Sequence, residues 1–358
     1  MVKKVKAMFK HVFVLICIGI SSISCAQENG TITHDPVMIK EGDTYYLFNT
    51  GGGIGVKSST DMKNWKELDP VFSETPSWVL KTIPKFRRSM WAPDIFKKDD
   101  TYYLYYSVSA FGRNTSAIGV ATNRTLDPKS PDFKWVDQGK VIESVPGRDM
   151  WNAIDPNVII DDEGTPWMTF GSFWMGMKLV KLNPDMKSVV RDSSQEWFTI
   201  AARERSFYVD ERDAGDGANP NLDYESLYTK EQLEANRSME NGAIEAPFLF
   251  KKGEYYYLFV SWDRCCRGVN STYKILVGRS KNIRGPYLDK EGNKLSKGGG
   301  TLIAEGNDEW AAVGHQAAYT FDGKDYLIFH AYDLDDDGKP KLQIREMKWN
   351  NDWPSVDL

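Results

Sequence analysis

The apolar and polar positions of this chain repeat as one short unit. After His34, the Asp35-Pro36 corner leads into an apolar run, Val37-Met38-Ile39, then a charged glycine turn, Lys40-Glu41-Gly42-Asp43, and an aromatic return, Thr44-Tyr45-Tyr46-Leu47-Phe48. Two apolar runs flanking such a turn predict a β-hairpin. Variants begin at Trp91-Ala92-Pro93-Asp94, Ile154-Asp155-Pro156-Asn157, Ile244-Glu245-Ala246-Pro247 and Gly314-His315-Gln316. Their returns are Thr101-Tyr102-Tyr103-Leu104, Pro166-Trp167-Met168-Thr169, Glu254-Tyr255-Tyr256-Tyr257-Leu258 and Lys324-Asp325-Tyr326-Leu327. A glycine-bearing strand also recurs, at Ile54-Gly55-Val56, Ile118-Gly119-Val120 and Val277-Gly278-Arg279. Five copies of one unit filling the chain predict a radial, all-β repeat, a closed ring of blades in a single domain. Closing it requires the N-terminal strand to pair with the last blade, which removes open edges.

Each copy opens on a different residue: Asp35, Trp91, Asp155, Glu245 and His315. Equivalent positions in a ring of blades face one axis, so three acids and a histidine are expected to converge there. The repeat weakens from about 183 to 241, where charge rises. This stretch reads as an insertion near the rim, with a short helix between Leu222 and Glu240.

The first 25 residues are of another kind. Lys3, Lys4, Lys6 and Lys10 precede a short apolar run, Val12 to Ile20, and small residues follow up to Cys25-Ala26. The run is short for a bilayer span and reads as an export signal. Two cuts are open. Cleavage before Cys25, with lipid on its thiol, gives a periplasmic or cell-surface lipoprotein of a bacterium; cleavage after Ala26 gives a secreted soluble protein. The domain then runs from 26 to 358. Losing the leader lysines makes the chain more acidic than its −5 formal charge. An acidic exported domain argues against a nucleic-acid partner. Cys17 belongs to the leader, so the adjacent Cys265 and Cys266 are no disulfide framework. Whether they bridge each other is open, since neighbouring cysteines close only a strained ring.

One Asp-Pro is ordinarily a turn. Asp35 and Asp155 at matching places in a repeat point to more than that. Glu245, between Ile244 and Ala246-Pro247-Phe248, has the apolar surroundings that favour a protonated carboxyl near neutral pH. His315 has three open readings: a metal ligand, a group that orients water, or a satisfied core histidine. His330 reads as structural. The chain holds 12 Trp, 17 Tyr and 17 Phe, enough for blade cores and for sugar platforms. Gly51-Gly52-Gly53 and Gly298-Gly299-Gly300 lack the Lys-Ser/Thr of a phosphate loop and read as tight turns.

His34-Asp35-Pro36, Trp91-Ala92-Pro93-Asp94, Tyr105 to Gly112, Trp151 to Pro156, Gly171-Ser172-Phe173-Trp174, Ile244 to Phe248, Cys265-Cys266-Arg267 and Gly314-His315 together resemble glycoside hydrolase family 43, most of all its endo-1,5-α-L-arabinanases. The resemblance covers nearly everything after the leader. It implies a five-bladed β-propeller that hydrolyses α-1,5-linked arabinofuranose with inversion. Asp35 is then the general base, Glu245 the general acid, and Asp155 the residue that tunes and orients the acid. Trp91, Phe111, Gly112, Asn152, Ser172 and Phe173 fall at sugar contacts. His315 falls at a metal position where calcium is held largely through water; no organic cofactor is implied. The expected partner is arabinan or an arabino-oligosaccharide, and a monomer is expected. The long segment before Ile244 leaves release from chain ends open. An α-arabinofuranosidase or β-xylosidase on the same scaffold, and a glycan-binding lipoprotein without activity, are the other readings.

Overall fold

The structure is a computed structural model that describes residues 30–87, 89–191, 197–203 and 242–358. The leader, Cys17, Cys25 and the helix expected between Leu222 and Glu240 lie outside the described residues. No helix among the described residues is long and apolar enough to cross a membrane.

Each repeat folds as an antiparallel sheet whose strands follow chain order. Blade one comprises Val37–Glu41, Thr44–Asn49, Gly55–Ser59 and Lys66–Leu68. Its first pair is in the expected register, with Val37 opposite Phe48 and Glu41 opposite Thr44. Gly42 turns the chain at φ 57°, a left-handed conformation that favours glycine. Blade two comprises Ser89–Lys98, Thr101–Ser109, Ser116–Asn123 and Val136–Ser144. Gly51–Gly52 pairs with its first strand, so these glycines form a short strand rather than a bare turn. Blade three comprises Asn157–Ile160, Pro166–Phe170, Met177–Lys181 and Phe198–Ala201. The expected insertion therefore starts too early: Phe198–Ala201 is the outer strand of this blade. Its polar flanks hid that strand, because an edge strand buries one face and carries a weak apolar pattern. Blade four comprises Ile244–Lys252, Tyr255–Trp262, Lys274–Ser280 and Thr301–Ala304. Blade five comprises Trp310–Phe321, Lys324–Asp333 and Lys339–Glu346.

The first strand of every blade packs against the first strands of its two neighbours, and that of blade five returns to blade one. This is a five-bladed β-propeller with the first strands innermost. Closure comes from the N-terminus: Ile32 bridges Lys341, Leu342 N–H donates to Thr31 O at 2.8 Å, and Thr33 N–H donates to Pro340 O at 3.1 Å. The last sheet gains its missing edge strand from the start of the chain.

Blades bury both faces against their neighbours, so their second strands are apolar almost throughout. Tyr102, Leu104, Tyr105, Tyr106 and Val108 are all fully buried, as are Leu258, Phe259 and Val260. The recurring glycine of the third strand answers to this packing. A Cβ on Gly119 would stand 2.5 Å from Tyr106 Cζ and 2.7 Å from Trp78. The aromatic stacking of blade two leaves room there only for hydrogen.

Candidate active site

A backbone feature places the site. The entry to every blade contains a non-glycine residue in the left-handed region: Asp35 (φ 55°), Ala92 (42°), Asp155 (57°), Ala246 (52°) and His315 (53°). Each costs about 1–2 kcal/mol in an L-residue. Each N–H is held by a side chain from the preceding blade of the ring. Asp35 N–H donates to His330 Nδ1 at 3.1 Å, Ala92 to Thr50 Oγ1 at 2.8 Å and Asp155 to Ser107 Oγ at 3.0 Å. Ala246 N–H donates to Asp155 Oδ2 at 3.2 Å and His315 N–H to Ser261 Oγ at 2.8 Å. The kink turns the chain inward, and the latch fixes it.

This corrects the expected equivalence of the five opening residues. Asp35, Asp155 and His315 occupy the left-handed position itself. In blades two and four that position is Ala92 and Ala246, and the chemistry-bearing side chains, Trp91 and Glu245, stand one residue earlier. The convergence survives the offset. Asp35, Asp155, Glu245, His315, Trp91, Phe111, Gly112, Asn152, Ser172 and Phe173 all line one cleft of about 410 Å³.

Asp35 is 6% exposed. Its Oδ1 lies 2.8 Å from His34 Nδ1 and 3.0 Å from His315 Nδ1, and Thr50 Oγ1 donates to Oδ2. Burial works to raise its pKa, but His315, His34 and His330 outweigh it and hold the carboxyl well below the usual range. A carboxylate offers about four acceptor sites. Three are occupied, which leaves one on Oδ2 for a further donor.

Asp155 has the opposite environment. Burial, then the charges of Glu245 and Asp35, push its pKa well above the usual range, against the Ala246 N–H that favours the ionised form. Glu245 is gripped at both oxygens: Tyr273 Oη donates to Oε1 at 2.6 Å and Ser172 Oγ to Oε2 at 2.7 Å. Ser172 and Glu245 also pair through their backbones, and Phe173 N–H donates to Ile244 O at 2.7 Å.

The apolar lining is uneven. Phe111 is 80% exposed and meets Trp91 edge to face, with ring centroids 6.4 Å apart. Arg264 lies 5.6 Å from the Phe173 ring. Asn152 is held by Ser116 Oγ at 2.6 Å. Cys265 and Cys266 are joined in a vicinal disulfide that forms part of the cleft wall with Arg267.

Sequence reasoning missed Thr50 and Tyr273, and read His330 as structural. The last is fully buried and holds the Asp35 amide from behind the cleft wall, a structural role that sets the position of a site residue. Its signal was present: His330 sits on the second strand of blade five, where Ser107 and Ser261 sit in blades two and four. Tyr273 lies in a loop outside the repeat and gave no sign.

His315 fits a metal in one respect. With Nδ1 turned to the Asp35 carboxylate, Nε2 is the ring nitrogen left to bind an ion, the usual arrangement for a metal-ligating histidine. Calcium takes six to eight oxygens. The clusters of ligand-type side chains among the described residues are His34 with Cys265 and Cys266, and His34 with Asp35 and His330. Neither includes His315, so an ion there would draw most of its shell from water.

A propeller whose axis gathers one carboxyl held well below the usual pKa range, one pushed well above it and a third bonded by two hydroxyl groups, beneath aromatic walls, is the scaffold of a glycoside hydrolase. The profile of Glycosyl hydrolases family 43 matches residues 30–354, and the chain belongs to that family. It is 49% identical over 344 residues to the extracellular exo-α-(1→5)-L-arabinofuranosidase of Cellvibrio japonicus, covering 96% of this chain and 90% of that one. It is 42% identical to the extracellular endo-α-(1→5)-L-arabinanase 1 of Bacillus subtilis, covering 90% and 87%. The structure of a Cellvibrio cellulosa α-L-arabinanase complexed with arabinohexaose superposes with TM-score 0.82 at 49% identity, covering 92% of this chain and 96% of that one.

Proposed function

We propose that this glycoside hydrolase cleaves α-1,5-linked L-arabinofuranose chains with inversion, as an arabinanase of plant cell-wall pectin side chains. The observation that carries the reading is the meeting of Asp35, Asp155 and Glu245 in one cleft, in three different electrostatic settings. Inversion needs a carboxylate that takes a proton from water on one face of the sugar and an acid that protonates the leaving oxygen on the other. Asp35 suits the first role: it stays ionised, and its remaining acceptor site on Oδ2 can hold the attacking water. Glu245 suits the second, aimed by Tyr273 and Ser172. Asp155 positions the acid by receiving the amide of Ala246, the next residue, and its buried carboxyl, crowded against Glu245, favours a shared proton in that corner of the cleft. Trp91, Phe111 and Phe173 offer faces to the sugar rings, and Gly112 and Asn152 their edges. A cation on His315 Nε2, calcium being the expected one, would supply positive charge beside Asp35. The names of the relatives, arabinanases of both modes, support the substrate class.

Endo cleavage is the primary reading. Release from chain ends is the second, favoured by the exo-acting relative and by the long segment ahead of Ile244. Early product profiles on linear 1,5-α-arabinan test both, with Glu245→Gln as control. A ladder of intermediates establishes endo cleavage; one short product from the start establishes exo cleavage. Loss of product in Asp35→Asn, Asp155→Asn and Glu245→Gln, each folded, supports the three roles. Wild-type turnover by any of them removes that residue. The leader supports export, with a lipid on Cys25; fatty-acid labelling that disappears in Cys25→Ala tests the anchor.

A further inference from the structure

Tyr332 has no role in the mechanism above, yet its hydroxyl stands at a junction of hydrogen-bonding groups, Ser271 among them. It is buried in blade five, two residues beyond His330 on the same strand and therefore on the same face. Its Oη lies 2.8 Å from Cys266 N, 3.2 Å from His330 Nε2 and 3.0 Å from His34 Nε2. The directions of these bonds follow from counting protons. The Asp35 amide donates to His330 Nδ1, which therefore carries no proton, so the one proton of the ring sits on Nε2 and is donated to Tyr332. The Cys266 amide can only donate. A hydroxyl has two lone pairs and one proton; with the His34 ring neutral and its Nδ1 turned to the Asp35 carboxylate, Nε2 is bare and accepts the Tyr332 proton. Nδ1 of His34 then carries the ring proton and donates it to Asp35 Oδ1, 2.8 Å away. The His34 ring is also stacked on His330, with centroids 4.1 Å apart.

We propose that Tyr332 is a positioning residue for Asp35, acting through His34, and that the Cys265–Cys266 disulfide anchors it. This rests on reading Asp35 as the general base. By occupying Nε2, Tyr332 imposes the Nδ1–H tautomer, the one form of a neutral His34 that can donate to Oδ1. With Oδ1 engaged by His34 and His315 and Oδ2 by Thr50, the carboxylate cannot rotate, and its remaining lone pair keeps one direction. The fixed end of the chain of hydrogen bonds is the Cys266 amide. Cys266 sits at φ 67°, a conformation that L-residues rarely adopt, and the covalent ring with Cys265 confines the two residues to one turn. The disulfide thus reaches the catalytic carboxylate through Tyr332 and His34 without itself touching a reacting atom.

The test is Tyr332→Phe in the full chain, which keeps the ring and removes the hydroxyl. The chain has four histidines, one of them, His11, in the leader, so ¹⁵N-histidine NMR resolves His34 directly. The expected result is loss of the single Nδ1–H signature of His34. A fall in kcat of about 10- to 100-fold on linear arabinan should accompany it, as misplacement of a reacting group produces, with KM within about twofold, as for an interaction made only in the transition state. An unchanged His34 tautomer, or a wild-type kcat, overturns the proposal. A second variant, Cys265→Ser with Cys266→Ser, is expected to lower kcat in the wild-type background and to have little further effect on Tyr332→Phe, because both act on one chain of bonds. Equal losses in the two backgrounds overturn the disulfide's part. Activity in Asp35→Asn would overturn the base assignment alone, since the NMR result judges the hydrogen-bonded chain without reference to turnover.

Discussion

Tyr273 and Glu245, 28 residues apart, meet through a hydrogen bond of 2.6 Å from the phenol to Oε1. Tyr273 is 1% exposed. Burial, then the charges of Glu245 and Asp155, push its pKa well above the usual phenol value, so it remains a donor across the working pH range. Tyr273→Phe leaves Oε1 without this donor and Ser172 as the hydroxyl holding Glu245. The expected outcome is a kcat lower by about tenfold, roughly the worth of one buried hydrogen bond to a charged group. Circular dichroism should be unchanged, and steady-state kinetics on linear arabinan check the rest.

Gly314 underlies the same contact. A Cβ at that position would stand 2.1 Å from Tyr273 Cδ1. Gly314→Ala must displace the ring, and with it the hydroxyl that holds Glu245. It is expected to cost more activity than Tyr273→Phe and to lower stability by about 1–3 kcal/mol, as overpacking does. Wild-type kinetics from a folded Gly314→Ala protein would show that Tyr273 does not set the position of Glu245.

Asp94 is a buried carboxyl outside the mechanism. Its Oδ2 accepts Val158 N–H at 2.7 Å, but burial outweighs this and raises its pKa to about 7. Between the ordinary value near 3.8 and about 7, the folded state binds a proton that the unfolded state has lost. Its contribution to stability is therefore full below the lower value and is lost as pH rises through the upper one. Asp94→Asn keeps an acceptor for Val158 and has nothing to ionise. It is expected to match wild type near pH 4 and to exceed it near pH 8, by on the order of 4 kcal/mol for a shift of this size. Denaturant titrations at the two pH values decide it; an equal gap at both removes Asp94 as the source.

Chelation separates the two possible roles of a cation. An ion held by His315 Nε2 and water would bridge no blades. EDTA is expected to lower kcat and to leave Tm within about 2 °C, where loss of a structural ion would cost several kcal/mol and a correspondingly larger shift. His315→Ala should show the same activity loss and no further response to EDTA. A large drop in Tm on chelation would place the ion in the fold rather than at the site.

The number of blades and the convergence of Asp35, Asp155 and Glu245 were legible in the sequence, because a repeat maps equivalent positions onto equivalent places. The closing strand was legible too, since an open edge is a liability that a ring removes. The groups that hold the acids were not. His34 and Tyr332 lie 298 residues apart and meet because the ring closes. His330 reads as structural, and the amide it holds emerges only when its blade is aligned with those of Ser107 and Ser261. The offset of Glu245 and Trp91 from the left-handed position was hidden as well: Glu-Ala-Pro and Asp-Pro look alike as text, and only backbone dihedrals show which residue turns.

The sequence by itself thus determined the architecture and the kind of chemistry, through periodicity and residue type, which are local properties. The tertiary structure decided which carboxyl is held below the usual pKa range, which is pushed above it and what aims each one. Those properties depend on burial and on donors contributed by neighbouring blades, and both exist only once the ring is closed.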